Sequence, residues 1–138
     1  MIGAIRRWWE SRGGIPADLR AELEAEGLVL LEERVPTSII YRHYQVPGQR
    51  PTSGHQSAIT SIALTHRRLV VRGTSGVTLD AGPGKVRAEL EESGALLLAY
   101  EAADLFPTRE GAVEMRFDTP RAAQIHARLE EWTARPPS

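Results

Sequence analysis

From Leu28 to Phe117 the apolar side chains follow a period of two within short runs, and helical spacing returns only beyond Pro120. Period-two alternation puts one face of a strand in a core and the other in water, so this stretch must fold as half-buried antiparallel strands. Residues 85–90 show it most cleanly, with Val86, Ala88 and Leu90 opposed to Lys85, Arg87 and Glu89. On 112–117 the inward set is Val113, Met115 and Phe117. On 68–73, Leu69 and Val71 oppose Arg68, Val70 and Arg72. Further strands are expected at 28–35, 37–46, 57–65 and 95–101, with a brief one at 77–79. Pro36 marks a break between the first two. Loops are expected around Pro47, Gly48, Pro51 and Gly54, along 74–84, and around Phe106, Pro107 and Gly111, with turns at His66-Arg67 and Ser93-Gly94.

Three helices frame this region. Residues 2–11 form a short amphipathic helix with Ile2, Ile5, Trp8 and Trp9 on one side, ended by Gly13-Gly14. A second is punctuated by Pro16 at its first turn and Gly27 just past its end, with Asp18 suited to the helix dipole and Leu19 and Leu23 buried. The last starts at Asp118-Thr119-Pro120, a cap residue followed by proline, and carries Ala122, Ile125, Leu129 and Trp132 as one apolar stripe. The expected fold is mainly β (α+β): about seven short antiparallel strands, curled into a barrel or two crossed sheets so that few edges stay open, with the C-terminal helix as a plug.

The 138 residues fit one domain, with 41% hydrophobic and 25% charged residues as in ordinary globular proteins. There is no cysteine, which removes disulfides, thiol nucleophiles and cysteine-based metal sites together. No apolar run approaches the ~18 residues of a membrane span, and the N-terminus lacks the apolar stretch of a signal peptide. The expected location is the cytoplasm, with peripheral attachment to the inner membrane face as the variant. Basic residues are 16 Arg and one Lys, a bias that GC-rich codons produce and that suggests a bacterial source.

Two segments carry a family resemblance. Ile62-Ala63-Leu64-Thr65-His66-Arg67-Arg68-Leu69-Val70-Val71 is a strand, a tight turn and a strand. Met115-Arg116-Phe117-Asp118-Thr119-Pro120 runs from a strand into the helix bearing Trp132. With seven strands and a closing helix, the chain resembles the bacterial pleckstrin-homology-like domains. The resemblance implies a PH-like β-barrel with its helix over 28–134, an N-terminal helical extension over 1–27 and a tail over 135–138. It also implies a non-catalytic binding or scaffolding module, since that fold hosts lipid-headgroup binders, peptide binders and protein-interaction scaffolds. In headgroup binders of the family, basic residues sit at the end of the first strand and along the second. Arg34 and Arg42 occupy comparable positions, but Ile40 stands where another base is expected, and the Val35-Pro36-Thr37 turn is short for wrapping a headgroup.

The net charge of −1 hides an asymmetry: residues 1–33 carry −3, residues 34–79 carry six Arg and no acid, and residues 80–138 carry −4. Two accounts stand beside each other. Strands are poor in acids, so composition alone could empty the block. Alternatively Arg34, Arg42, Arg68 and Arg72, with His66 and Arg67 at a turn, form a face for an anionic ligand or an acidic partner. A third account is internal neutralisation, with Glu22, Glu24 and Glu26 lying across the basic face. Arg6, Arg7, Trp8 and Trp9 have the composition of a membrane or dimer contact.

Catalytic and metal-binding constellations do not emerge. Gly82-Pro83-Gly84-Lys85 lacks the first glycine and the closing Ser or Thr of a phosphate loop and reads as a turn. His43, His55, His66 and His126 have no metal-ligand spacing, and the serines lack a nucleophile-elbow context. Tyr41-Arg42-His43-Tyr44 interleaves rings and cations, but alternation places the two tyrosines on opposite faces, which disfavours nucleic acid. The expectation is therefore no enzyme, no cofactor and no metal. The partner is another protein or a second copy, and an anionic membrane surface is the alternative.

Overall fold

The computed structural model describes residues 15–48, 50, 52–73 and 76–134. Seven strands and three helices follow in the order α1 (Ala17–Ala25), β1 (Leu28–Gln45), β2 (Thr52–Thr65), β3 (Leu69–Gly73), β4 (Gly76–Ala81), β5 (Arg87–Leu90), β6 (Leu96–Glu101), α2 (Ala102–Leu105), β7 (Glu110–Phe117) and α3 (Ala122–Ala134). The antiparallel strands are hydrogen-bonded in the order β4-β3-β2-β1-β7-β6-β5. The fold is mainly β, with a helix after the last strand. The N-terminal helix over 2–11 lies outside the described residues.

The chain divides into two compact units, 1–36 with 58–82, and 37–57 with 83–138. In the first unit, the ladder of β2 and β3 sets Ile62 beside Val71 and Leu64 beside Leu69, and β4 adds Leu79 beside Val71. All five are buried. The opposite face of the same ladder carries Ala63 beside Val70, and there α1 lands: Leu23 and Ile15 pack on these two residues, with Leu19, Leu28 and Leu31 around them. Residues four apart on a helix share one face, which is why Leu19 and Leu23 reach the sheet together. Gly27 ends the helix with φ +90°, and a Cβ there would run into the His66 ring. The glycine serves both the left-handed stop and the close approach of His66.

In the second unit the rows cross three strands. Phe117 lies between Thr37 and Leu96, Met115 between Ile39 and Leu98, and Val113 between Tyr41 and Tyr100. Helix α3 packs on β5 and β6 and buries Ala122, Ile125, Leu129 and Trp132, the stripe its 3-4-3 spacing predicts. Thr119 begins the helix: its hydroxyl accepts from the Arg121 amide at 3.2 Å and its carbonyl from Ala122 at 3.2 Å. Pro120 follows in the position where a missing N–H costs nothing.

The structure corrects several boundaries. Pro36 does not break the first strand; β1 runs through it for 18 residues. The proline side chain is exposed between buried Val35 and Thr37, so alternation survives, and an extended backbone tolerates its fixed φ at the loss of one donor. β2 begins at Thr52 and takes in Gly54, which sequence punctuation assigns to a loop. The glycine-rich segment 74–84 contains a full strand, β4, drawn in by pairing with β3. A four-residue helix, α2, occupies part of the interval between β6 and β7.

Candidate functional site

The residues singled out as a basic face fall in different settings. Arg34, His66, Arg67, Arg68 and Arg72 belong to the first unit and Arg42 to the second. Arg6, Arg7, Trp8 and Trp9 lie outside the described residues.

Arg68 is the most engaged of them. Its Nε donates to both oxygens of Glu26, at 3.0 and 3.1 Å, and its Nη2 donates to Glu26 Oε2 at 2.7 Å and Glu22 Oε1 at 2.9 Å. Its Nη1 donates to Asp80 Oδ2 at 2.7 Å. One guanidinium thus ties the last turn of α1 to β3 and β4, using the fork geometry that suits carboxylates. Thr65 completes the cluster: its hydroxyl donates to Glu26 Oε1 at 3.2 Å and accepts from the Arg67 and Arg68 amides at 3.1 Å. Internal neutralisation therefore holds at this arginine, through Glu22 and Glu26, whereas Glu24 bonds to Arg20 on the helix surface.

The Arg68 hydrogen bonds hold the Glu26 carboxyl below the usual glutamate value of 4.5. Glu26 binds its proton more readily unfolded than folded, so its share of stability is complete above the ordinary carboxylate range and disappears as pH falls through it. Urea denaturation from pH 6 to pH 3 should show this acid-side decline, and Glu26→Gln should make the curve shallower over the same range.

Elsewhere on the proposed face, Arg42 forms an ion pair with Glu114 at 3.5 Å in the second unit. Glu114 lies 4.0 Å from Arg116, which donates to Glu91 at 2.8 Å. The Arg34 amide donates to Ser61 Oγ at 3.3 Å from a left-handed backbone position, φ 57°. Arg67 is exposed on the turn, and the Arg72 Nε is buried with no hydrogen-bond partner among the described residues.

The aromatic segment of β1 behaves differently from its sequence pattern. His43 adopts φ 53°, and the β1–β7 register skips between Arg42 and Gln45, so two residues of β1 face Gly111 alone. This bulge turns Tyr44 back toward Tyr41, and their rings meet edge-to-face at 5.4 Å. The separation of the tyrosines that alternation predicts is thereby undone. Arg109 donates to the Tyr44 hydroxyl at 2.8 Å and lies 4.3 Å from the centre of the Phe106 ring. Tyr100 shares the inward row with Tyr41 across Val113, and burial pushes its phenol well above the usual range.

Beside this row the second unit opens into a cleft of about 660 Å³. Tyr100, Val113 and Leu129 supply apolar lining, Lys85 and Arg87 the basic part of its wall, and Glu101, Glu114 and Glu130 the acidic part. The core positions Leu69, Val71, Val113, Met115, Phe117 and Trp132 are all buried. The cleft lies at the margin of the second unit's core, where the last turn of α3 meets the sheet. Its lining comes from the turn at 84–86 and from β5, β6, β7 and α3, and of these only Gly84-Lys85 stand out in the sequence as a candidate ligand motif, where they read as a turn.

No protein-family model, curated protein or solved structure matches the chain. Among the described residues, no helix is long and apolar enough to cross a membrane.

Proposed function

We propose that the chain is a non-catalytic, PH-like binding module that holds a short peptide segment of a partner protein in the cleft between α3 and strands β5 to β7. The observation that carries this reading is the cleft itself. Its volume falls in the range of ligand pockets, its lining joins apolar side chains to charges of both signs, and most of that lining stands on strands and a helix. A peptide offers matching apolar side chains and both charges. The seven antiparallel strands with a following helix support the PH-like assignment.

Selection of a random peptide library against the full chain tests the cleft. Bound peptides should shift the backbone amide resonances of residues 85–88, 99–101, 112–114 and 129–134. Thr133→Trp, at an exposed position of the wall, should fill the cleft and weaken binding by about tenfold, or 1.4 kcal/mol. Shifts confined to other residues, or binding indifferent to Thr133→Trp, would overturn the reading. The alternative, an anionic membrane surface, draws on the exposed His66-Arg67 turn. Salt-sensitive co-sedimentation with anionic vesicles but not neutral ones would favour it.

A further inference from the structure

β5 is the last strand in the sheet order, and the sequence around it is self-complementary. Lys85-Val86-Arg87-Ala88-Glu89-Leu90-Glu91 has a base at 85 and 87, an acid at 89 and 91, and apolar residues between. Reversal about Ala88 sets Arg87 opposite Glu89, Lys85 opposite Glu91 and Val86 opposite Leu90. An antiparallel strand pair with a two-fold axis is such a reversal, and it generates each contact twice.

The structure leaves the required groups at the surface. The side chains of Arg87 and Glu89 are 65% and 52% exposed, and for now they bond to each other at 3.1 Å. Leu90 is 44% exposed, although its ladder partner Leu96 is fully buried. Glu91 accepts from Arg116 on its own chain and can take Lys85 of a second copy without giving up that bond.

We propose that two copies of the chain associate through their β5 edges, antiparallel and centred on Ala88. The ladder hydrogen bonds satisfy the open edge, and Val86 of each copy covers Leu90 of the other. The crossed Arg87–Glu89 pairs fix the register, because a shift by one residue sets charged residues against apolar ones. The contact is small, so the dimer is weak, with a dissociation constant of about 100 µM. Lys85 to Ala88 also line the cleft, whereas Glu89, Leu90 and Glu91 do not, so the effect of Glu89→Arg separates this contact from peptide capture.

Sedimentation equilibrium of the full chain from about 10 µM to 1 mM should show a reversible monomer–dimer equilibrium, weakened by salt. Arg87→Glu sets acid against acid, and Glu89→Arg sets base against base. Each alone should raise the dissociation constant at least tenfold, by about 1.4 kcal/mol. An equimolar mixture of the two variants restores opposite charges on both sides and should form heterodimers where neither variant self-associates. Both positions are exposed, and circular dichroism confirms that the variants fold. A wild type that stays monomeric at 1 mM, a dimer indifferent to both reversals, or a mixture that fails to associate would overturn the proposal.

Discussion

Arg68→Met is expected to lower the unfolding free energy by about 3 kcal/mol, read from urea denaturation at pH 7, and the melting temperature by roughly 8 °C. The arginine side chain is 22% exposed and that of its nearest partner, Glu26, only 15%. Removing the guanidinium leaves Glu26 half-desolvated, with the Thr65 hydroxyl as its remaining donor in this cluster, and that uncompensated charge is the source of the cost. Glu22 and Asp80 return to water. Glu22→Gln is therefore the contrast, expected to cost no more than ~0.5 kcal/mol, because its carboxylate is 62% exposed and contributes a surface contact. Equal losses in the two variants would refute the assignment of Glu26 as the anchor.

A comparable loss, about 3 kcal/mol, is expected for Gly111→Ala. The position has φ +100°, where an alanine is strained by ~1 kcal/mol, and a Cβ would stand 2.5 Å from the His43 carbonyl oxygen and 2.7 Å from that of Arg42. The obstructing atoms are backbone, so no side-chain rotation relieves them; the bulge in β1 must open instead. That movement should separate Tyr41 from Tyr44, and tyrosine ring resonances would report it. Gly54→Ala is the control, since nothing lies within 4 Å of its added Cβ. It should stay within ~0.5 kcal/mol of the wild type. Equal stability of Gly111→Ala and the wild type would show that the β1–β7 bulge is not held by this glycine.

Where an element depends on its own residues, the sequence was enough to find it. The last helix is written in a cap, a proline and a 3-4-3 stripe, and the structure buries the same four residues. The same holds for α1, bounded by Pro16 and Gly27, and for the inward row Val113, Met115 and Phe117. Elements that depend on partners were harder to read. β4 lies in a segment of glycines and turn formers, and it becomes a strand because β3 offers it a ladder. The Tyr41–Tyr44 contact needs a left-handed histidine, which no rule of alternation anticipates. Internal neutralisation was legible as one account of the charge blocks, but the choice of Arg68 depends on where the last turn of α1 lands. The cleft carried no ligand-binding signature, since its lining is spread in small groups over 84–88, 99–101, 112–114 and 129–134, which come together only in the fold.

β1 and β2 each pass without interruption from one compact unit into the other, so the backbone crosses the boundary at 36/37, 57/58 and 82/83. Neither unit is a continuous stretch of polypeptide. A single cut anywhere between these crossings leaves both fragments holding strands whose neighbours are on the other piece. Gene truncation or recombination at one breakpoint thus cannot hand either half to another protein as a working part. Deletion mapping, the usual route for assigning a partner to a segment, would report loss of folding in place of loss of contact. The chain has to be inherited, expressed and tested whole.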